Sequence, residues 1–114
     1  MANKRSLNRV ILVGNVGRDP EIKYVDQDVP FARFTLATSE SYRSKNGEKI
    51  ETTEWHNIVL RNQPAEICEK YLKKGDKVYV EGRLKNRQWQ GEDGNMRYTT
   101  EIHVTDFTFL SNKN

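Results

Sequence analysis

The sequence predicts an all-β domain with one helix, a five-stranded antiparallel barrel whose helix falls between its third and fourth strands. Three observations carry this prediction. Stretches in which apolar and polar residues alternate recur along the chain, turn residues separate them, and only one segment has helical spacing. Strands and helices do not alternate, so the parallel sheet of a doubly wound enzyme is excluded.

Val10-Ile11-Leu12-Val13 opens a β-rich stretch expected to break at Gly14-Asn15-Val16-Gly17 and at Asp19-Pro20, the glycines serving tight bends at a barrel corner. From Phe31 to Tyr42, Phe34, Leu36 and Thr38 alternate with Arg33, Thr35 and Ala37, the period of a half-buried strand. Asn46-Gly47 is a strong turn signal, which makes Lys49 to Leu60 the returning strand of a hairpin. Within it Trp55, Asn57, Val59 and Arg61 share one face, and His56, Ile58 and Leu60 share the other. Both faces carry apolar groups, so one packs on the core and the other must meet something else.

Pro64 to Lys74 reads as the helix. Proline suits its first turn, Ile67, Cys68, Tyr71 and Leu72 fall on one side, and Gly75 is placed to close its end. Cys68 on that stripe is expected to be a packed thiol rather than a nucleophile. Lys77 to Gln90 alternates again, with Val78 and Val80 against Tyr79 and Glu81. Gly91-Glu92-Asp93-Gly94-Asn95 then turns the chain into a last strand from Met96 to Leu110. This order of elements is that of an OB-fold. The folded domain is expected over residues 7–110, with 1–6 and 111–114 as flexible ends.

A chain of 114 residues suits one domain, and with 35% hydrophobic and 31% charged residues its core is modest. The net charge of +3 points mildly toward an anionic partner without identifying one. A single cysteine cannot form an internal disulfide, which favours a reducing compartment. The longest apolar run, Val10 to Val13, is far short of a membrane span or a signal-peptide core. A cytoplasmic domain without membrane contact is expected.

Catalysis finds no support. His56, His103 and Cys68 lack metal-ligand spacing, and no Ser–His–Asp arrangement is present. Arg18-Asp19-Pro20 follows Gly17 where a phosphate loop would need a helix. No metal, cofactor or enzymatic activity is expected. The informative residues are instead Arg83, Lys85, Arg87 and Trp89, at consecutive odd positions of an extended segment. Three cations and an indole on one ridge suit single-stranded nucleic acid, where cations track phosphates and rings stack on unpaired bases. The residues alone also admit a primosomal or RNA-binding barrel, or a protein-interaction module that uses the exposed rings.

Several segments resemble a known family in order and spacing. They are Asn8-Arg9-Val10-Ile11-Leu12-Val13-Gly14-Asn15-Val16-Gly17 with Asp19-Pro20-Glu21, and Thr35-Leu36-Ala37-Thr38-Ser39-Glu40-Ser41-Tyr42. Thr53-Glu54-Trp55-His56, Tyr71-Leu72-Lys73-Lys74-Gly75, Val78-Tyr79-Val80-Glu81-Gly82 and Arg97-Tyr98-Thr99-Thr100-Glu101 complete the set. From about Leu7 to Leu110 the chain is similar to bacterial-type single-stranded DNA-binding proteins.

The resemblance implies an OB-fold that assembles as a homotetramer and wraps DNA around its outside during replication, recombination and repair. Trp55 and Trp89 match two of the family's stacking tryptophans, and Tyr42 stands where a third is common. Lys85 and Arg87 match basic contacts, and His56 matches a position at a subunit interface. Arg33, Arg43, Lys45, Arg61, Arg83 and Arg97 complete the expected phosphate neighbours. Arg61 stands where the family often has a stacking phenylalanine, and Asn57 replaces a frequent basic residue. The family typically continues into a linker and an acidic tip that recruits other proteins. This sequence ends at Ser111-Asn112-Lys113-Asn114, so recruitment through such a tail is not expected of it.

Overall fold

The computed structural model describes residues 5–111. The flexible ends expected at 1–4 and 112–114 therefore lie outside the described residues, while Ser111 is held by Lys77, whose backbone N–H donates to its hydroxyl at 2.6 Å. The elements in order are β1 (Val10–Val16), β2 (Glu21–Val25), β3 (Val29–Arg43), β4 (Lys49–Arg61), α1 (Gln63–Tyr71), β5 (Lys77–Gln90) and β6 (Met96–Phe109). The sheet runs β1-β5-β6-β4-β3-β2, and β1 also pairs with β3, closing a ring of five strands with β2 continuing the line of β1 along β3.

The expected barrel is present, with one pairing of opposite sense. β4 and β6 run parallel over three rungs, Asn57 with Glu101 through Val59 with His103, because α1 reverses the path before β5 begins. The β2–β3 hairpin lacked a sequence signal. Its turn is Asp26-Gln27-Asp28, where Gln27 and Asp28 take positive φ without a glycine. By contrast the Asn46-Gly47 and Gly91–Asn95 turns sit where expected, Gly47 at φ 81°.

β1 does not break at Gly14; it runs through to Val16. The glycines serve close approach instead of bends. A Cβ on Gly14 would lie 2.2 Å from the Ala37 carbonyl oxygen, and one on Gly17 would lie 2.4 Å from the Trp55 ring. The chain breaks only over 17–20, where the Asp19 carboxylate accepts from the Lys74 backbone N–H at 2.8 Å.

α1 is shorter than the spacing predicts and ends at Tyr71, with Leu72 already extended and its N–H on the Cys68 carbonyl. Gly75 lies beyond the helix and donates to Val16 across the barrel end. Its buried stripe is Ala65, Cys68 and Leu72, whereas Ile67 and Tyr71 are exposed. Burial pushes the Cys68 thiol up to about 12. It is packing, with no thiolate for attack near neutral pH.

Inside the barrel, the even positions of β3, β4 and β5 supply Phe34, Leu36, Ile58, Leu60, Val78 and Val80 to one buried cluster. β6 changes parity part way. Gly82 pairs with Val104 but Glu81 pairs with Asp106, so Thr105 is the extra residue of a bulge. Ile102 points inward before it, and Phe107 and Phe109 pack against the core after it. The radius of gyration is 16.7 Å, against about 13 Å expected for a compact chain of this length. The far ends of the β3–β4 and β5–β6 hairpins account for the excess, projecting as exposed arms.

Candidate nucleic-acid interface

Strand period alone places each odd residue of β3, β4, β5 and, before the Thr105 bulge, β6 opposite its core-facing neighbours. The registers then align those residues across the sheet. Arg33, Val59, His103 and Arg83 form one row; Thr35, Asn57, Glu101 and Lys85 form the next. Trp55 pairs with Ala37, Arg87 with Thr99, and Trp89 with Arg97 on the same side. One outward face therefore gathers both tryptophans and most of the expected cations.

The tryptophans are held differently. Trp55 is 60% exposed and its ring edge rests on the backbone of Gly17, leaving the other side open. Trp89 is 40% exposed, and the Arg87 guanidinium lies 4.6 Å from its ring centre. Neither belongs to the core cluster, so each keeps ring surface open to solvent. Tyr42 is equally exposed, at 58%, but its even position in β3 puts it on the opposite side of the hairpin from Trp55. The register does not join it to the shared face. His56 lies on that even side as well, hydrogen-bonded to the Thr38 hydroxyl at 2.8 Å.

Glu101 organises the centre, and sequence reasoning assigned it no role. It is 2% exposed although it points toward the outward side. Arg33 Nη1 meets its Oε2 at 2.5 Å, Arg87 Nε the same oxygen at 3.3 Å, and His103 Nε2 its Oε1 at 3.1 Å. Burial raises the carboxyl's pKa, but hydrogen bonds from Arg33 and His103, with the charges of Arg33 and Arg87, outweigh it and hold the value below the ordinary one. A buried acid at the middle of a cationic face orients two guanidiniums that are 54 positions apart in the chain. Arg87 meets Glu101 within the β5–β6 hairpin, but Arg33 reaches it only through the parallel β4–β6 pairing, which no local pattern marks.

The remaining cations divide by surroundings. Arg83, Lys85 and Arg61 line a groove of about 530 Å³ together with Asn8, Val59 and His103. Arg97 pairs with Asp93 at 2.9 Å, and Arg43 donates to the Gly47 carbonyl at the tip of its hairpin, beside exposed Lys45. Arg61 lies 4.8 Å over the ring of Phe31, its partner across the β3–β4 ladder. Asn57 is used structurally: its amide donates to Thr99 and Thr100 and staples β4 to β6.

Residues 7–110 match the model of the Single-strand binding protein family. A single-stranded DNA-binding protein of Bacteroides thetaiotaomicron is 51% identical over 110 residues, 95% of this chain and 68% of its own length. One from Neisseria meningitidis is 45% identical over 109 residues, 96% of this chain and 63% of its own length. The chain thus spans roughly two thirds of these curated relatives. Among solved structures, a Plasmodium falciparum single-strand binding protein in complex with single-stranded DNA superposes with a TM-score of 0.84 at 38% identity, covering 96% of this chain and 100% of that one. A deletion mutant of the single-stranded DNA-binding protein from Thermus aquaticus gives 0.78 at 25% identity, covering 94% and 52%.

Proposed function

The chain belongs to the single-strand binding protein family, and from that premise we propose that it binds single-stranded DNA without catalysis and with little regard to sequence, protecting exposed strands in replication, recombination and repair. The observation that carries this reading is the alignment of Trp55, Arg33, Arg83, Lys85, Arg87 and Trp89 on one side of the sheet. The rings offer every base a stacking surface, whatever its identity. Guanidinium and ammonium groups beside them offset phosphate charge.

The same reading extends to subunit assembly, which we propose on groups away from the aligned rings and cations. Ile11 and Val13 of β1 are about half exposed, and His56 stands apart from the DNA-facing side. A homotetramer would cover such groups while leaving the cationic faces outside, in keeping with a cytoplasmic, nucleoid-associated protein. Changing His56 to Lys should shift the sedimenting species toward smaller assemblies; a fully tetrameric variant rejects the interface.

Titration with oligo-dT at two salt concentrations tests the function. Tryptophan fluorescence is expected to fall on binding, and log affinity to fall with log salt by about 0.7 per phosphate neutralised. No quenching, or an affinity indifferent to salt, rejects the proposal. Tyr42, Arg43 and Lys45 would serve DNA that passes beyond the barrel along the β3–β4 arm.

A further inference from the structure

We infer that Phe31, together with Arg61, forms a further stacking site for an unpaired base, separate from those at Trp55 and Trp89. The inference rests on the single-stranded DNA reading and names where along this face another nucleotide is held. Phe31 occupies an odd position of β3, so it points outward beside Arg33, and it is absent from the core cluster. Cations flank it on three sides, Arg33 along β3 and one on each neighbouring strand, with Val29 on the fourth. Lys23 is its ladder partner on β2 and Arg61 its partner on β4. The Arg61 and Arg33 guanidiniums lie 4.8 and 5.3 Å from the ring centre.

Phe31 is half-buried, outside the core cluster, with the two guanidiniums over its ring. With cations on three sides, it matches a base flanked by its own phosphates. The path to it is continuous. A cleft of about 370 Å³ along Phe31 and Lys23 shares Glu21, Arg33 and Arg87 with a smaller one of about 170 Å³ that reaches Trp89. A strand leaving Trp89 therefore runs past Arg87 and Arg33 onto Phe31. The base takes the place of the Arg61 guanidinium over the ring, and that guanidinium turns to the adjoining phosphate.

The test uses Phe31→Leu, with Trp55 and Trp89 unchanged as reporters. Oligo-dT long enough to span the face should still quench their fluorescence at saturation. Its affinity should be weaker by about 5- to 150-fold, the span of one lost base stack. Full quenching with unchanged affinity overturns the inference and leaves the DNA-binding reading intact. Absence of quenching in the unaltered protein instead removes that reading. Photocrosslinking is the second arm: oligo-dT carrying a halogenated uracil is expected to leave an adduct on Phe31. Adducts confined to Trp55 and Trp89 overturn the site.

Discussion

The β3–β4 and β5–β6 hairpins have ladders of the same length, and their projecting arms carry charge of opposite sign. Residues 38–54 of the β3–β4 arm carry Arg43, Lys45 and Lys49 against Glu40, Glu48, Glu51 and Glu54, a net charge of −1. Residues 83–103 of the β5–β6 arm carry Arg83, Lys85, Arg87 and Arg97 against Glu92, Asp93 and Glu101, a net charge of +1. Both arms bring an exposed tryptophan to the same side of the sheet. On the proposed function the difference would give them separate work: a ring at the base of the β3–β4 arm, and both a ring and the path for phosphates on the β5–β6 arm. Exposed cations near the tip of the first arm are offset by their own neighbours, as Lys49 is by Glu51 at 3.3 Å.

The largest expected effect is on stacking, which the arms share. Trp55→Ala and Trp89→Ala should each weaken oligo-dT binding by about 1–3 kcal/mol while thermal unfolding stays close to that of the parent protein, since both rings lie outside the core. Binding of a labelled oligonucleotide measures it; equal affinity in either variant removes that arm's ring from the site. Gly17→Ala should follow Trp55→Ala in direction and not exceed it, because the added Cβ meets the indole edge at 2.4 Å and must displace it. An unaltered affinity in that variant would show that Trp55 stacks from another position.

Charge separates the arms more sharply. Changing both Arg83 and Lys85 to Gln should lower the salt slope by about 1.4, at roughly 0.7 per contact. The matching change of Arg43 and Lys45 should lower it by much less. If the two pairs shift the slope equally, the charge difference between the arms has no bearing on where DNA runs.

The smallest effect concerns the anchor of the β5–β6 arm. Glu101→Gln removes the charge that holds Arg33 and Arg87, so the salt slope should steepen slightly as those guanidiniums become available to phosphate. Stability should respond to pH in a set direction. The folded-state pKa of Glu101 is depressed, so its contribution is complete above the ordinary value near 4.5 and is lost as pH falls through the lower folded value. Thermal midpoints followed into that acid range should decline less in Glu101→Gln than in the parent. Parallel declines would mean that the carboxylate is not an anchor.

Much of this was legible in the chain itself. Alternation from Phe31 to Tyr42 and across Lys77 to Gln90, the Asn46-Gly47 turn and the Pro64 helix start are local signals, and each element formed where its signal lay. Trp55, Arg61, Arg83, Lys85, Arg87 and Trp89 were legible as outward-facing for the same reason. The β2–β3 hairpin was not, because its positive-φ turn uses Gln27 and Asp28 in place of glycine. Helix length was overread, since Leu72 keeps the apolar spacing of α1 while its backbone is already extended.

Period 2 settles which side of its own strand a residue takes, and it is a property of adjacent residues alone. The sequence by itself therefore determined most of the strands and, within each, which residues share a side. Which strands lie together is settled by closure of the barrel, and closure joins segments far apart in the chain. Only the tertiary structure set Glu101 beside Asn57 and Lys85, moved Phe107 inward past the Thr105 bulge, laid Trp55 on Gly17 and placed Phe31 among Lys23, Arg33 and Arg61. Register between distant strands is decided by packing the whole core at once, and no window of neighbouring residues contains that information.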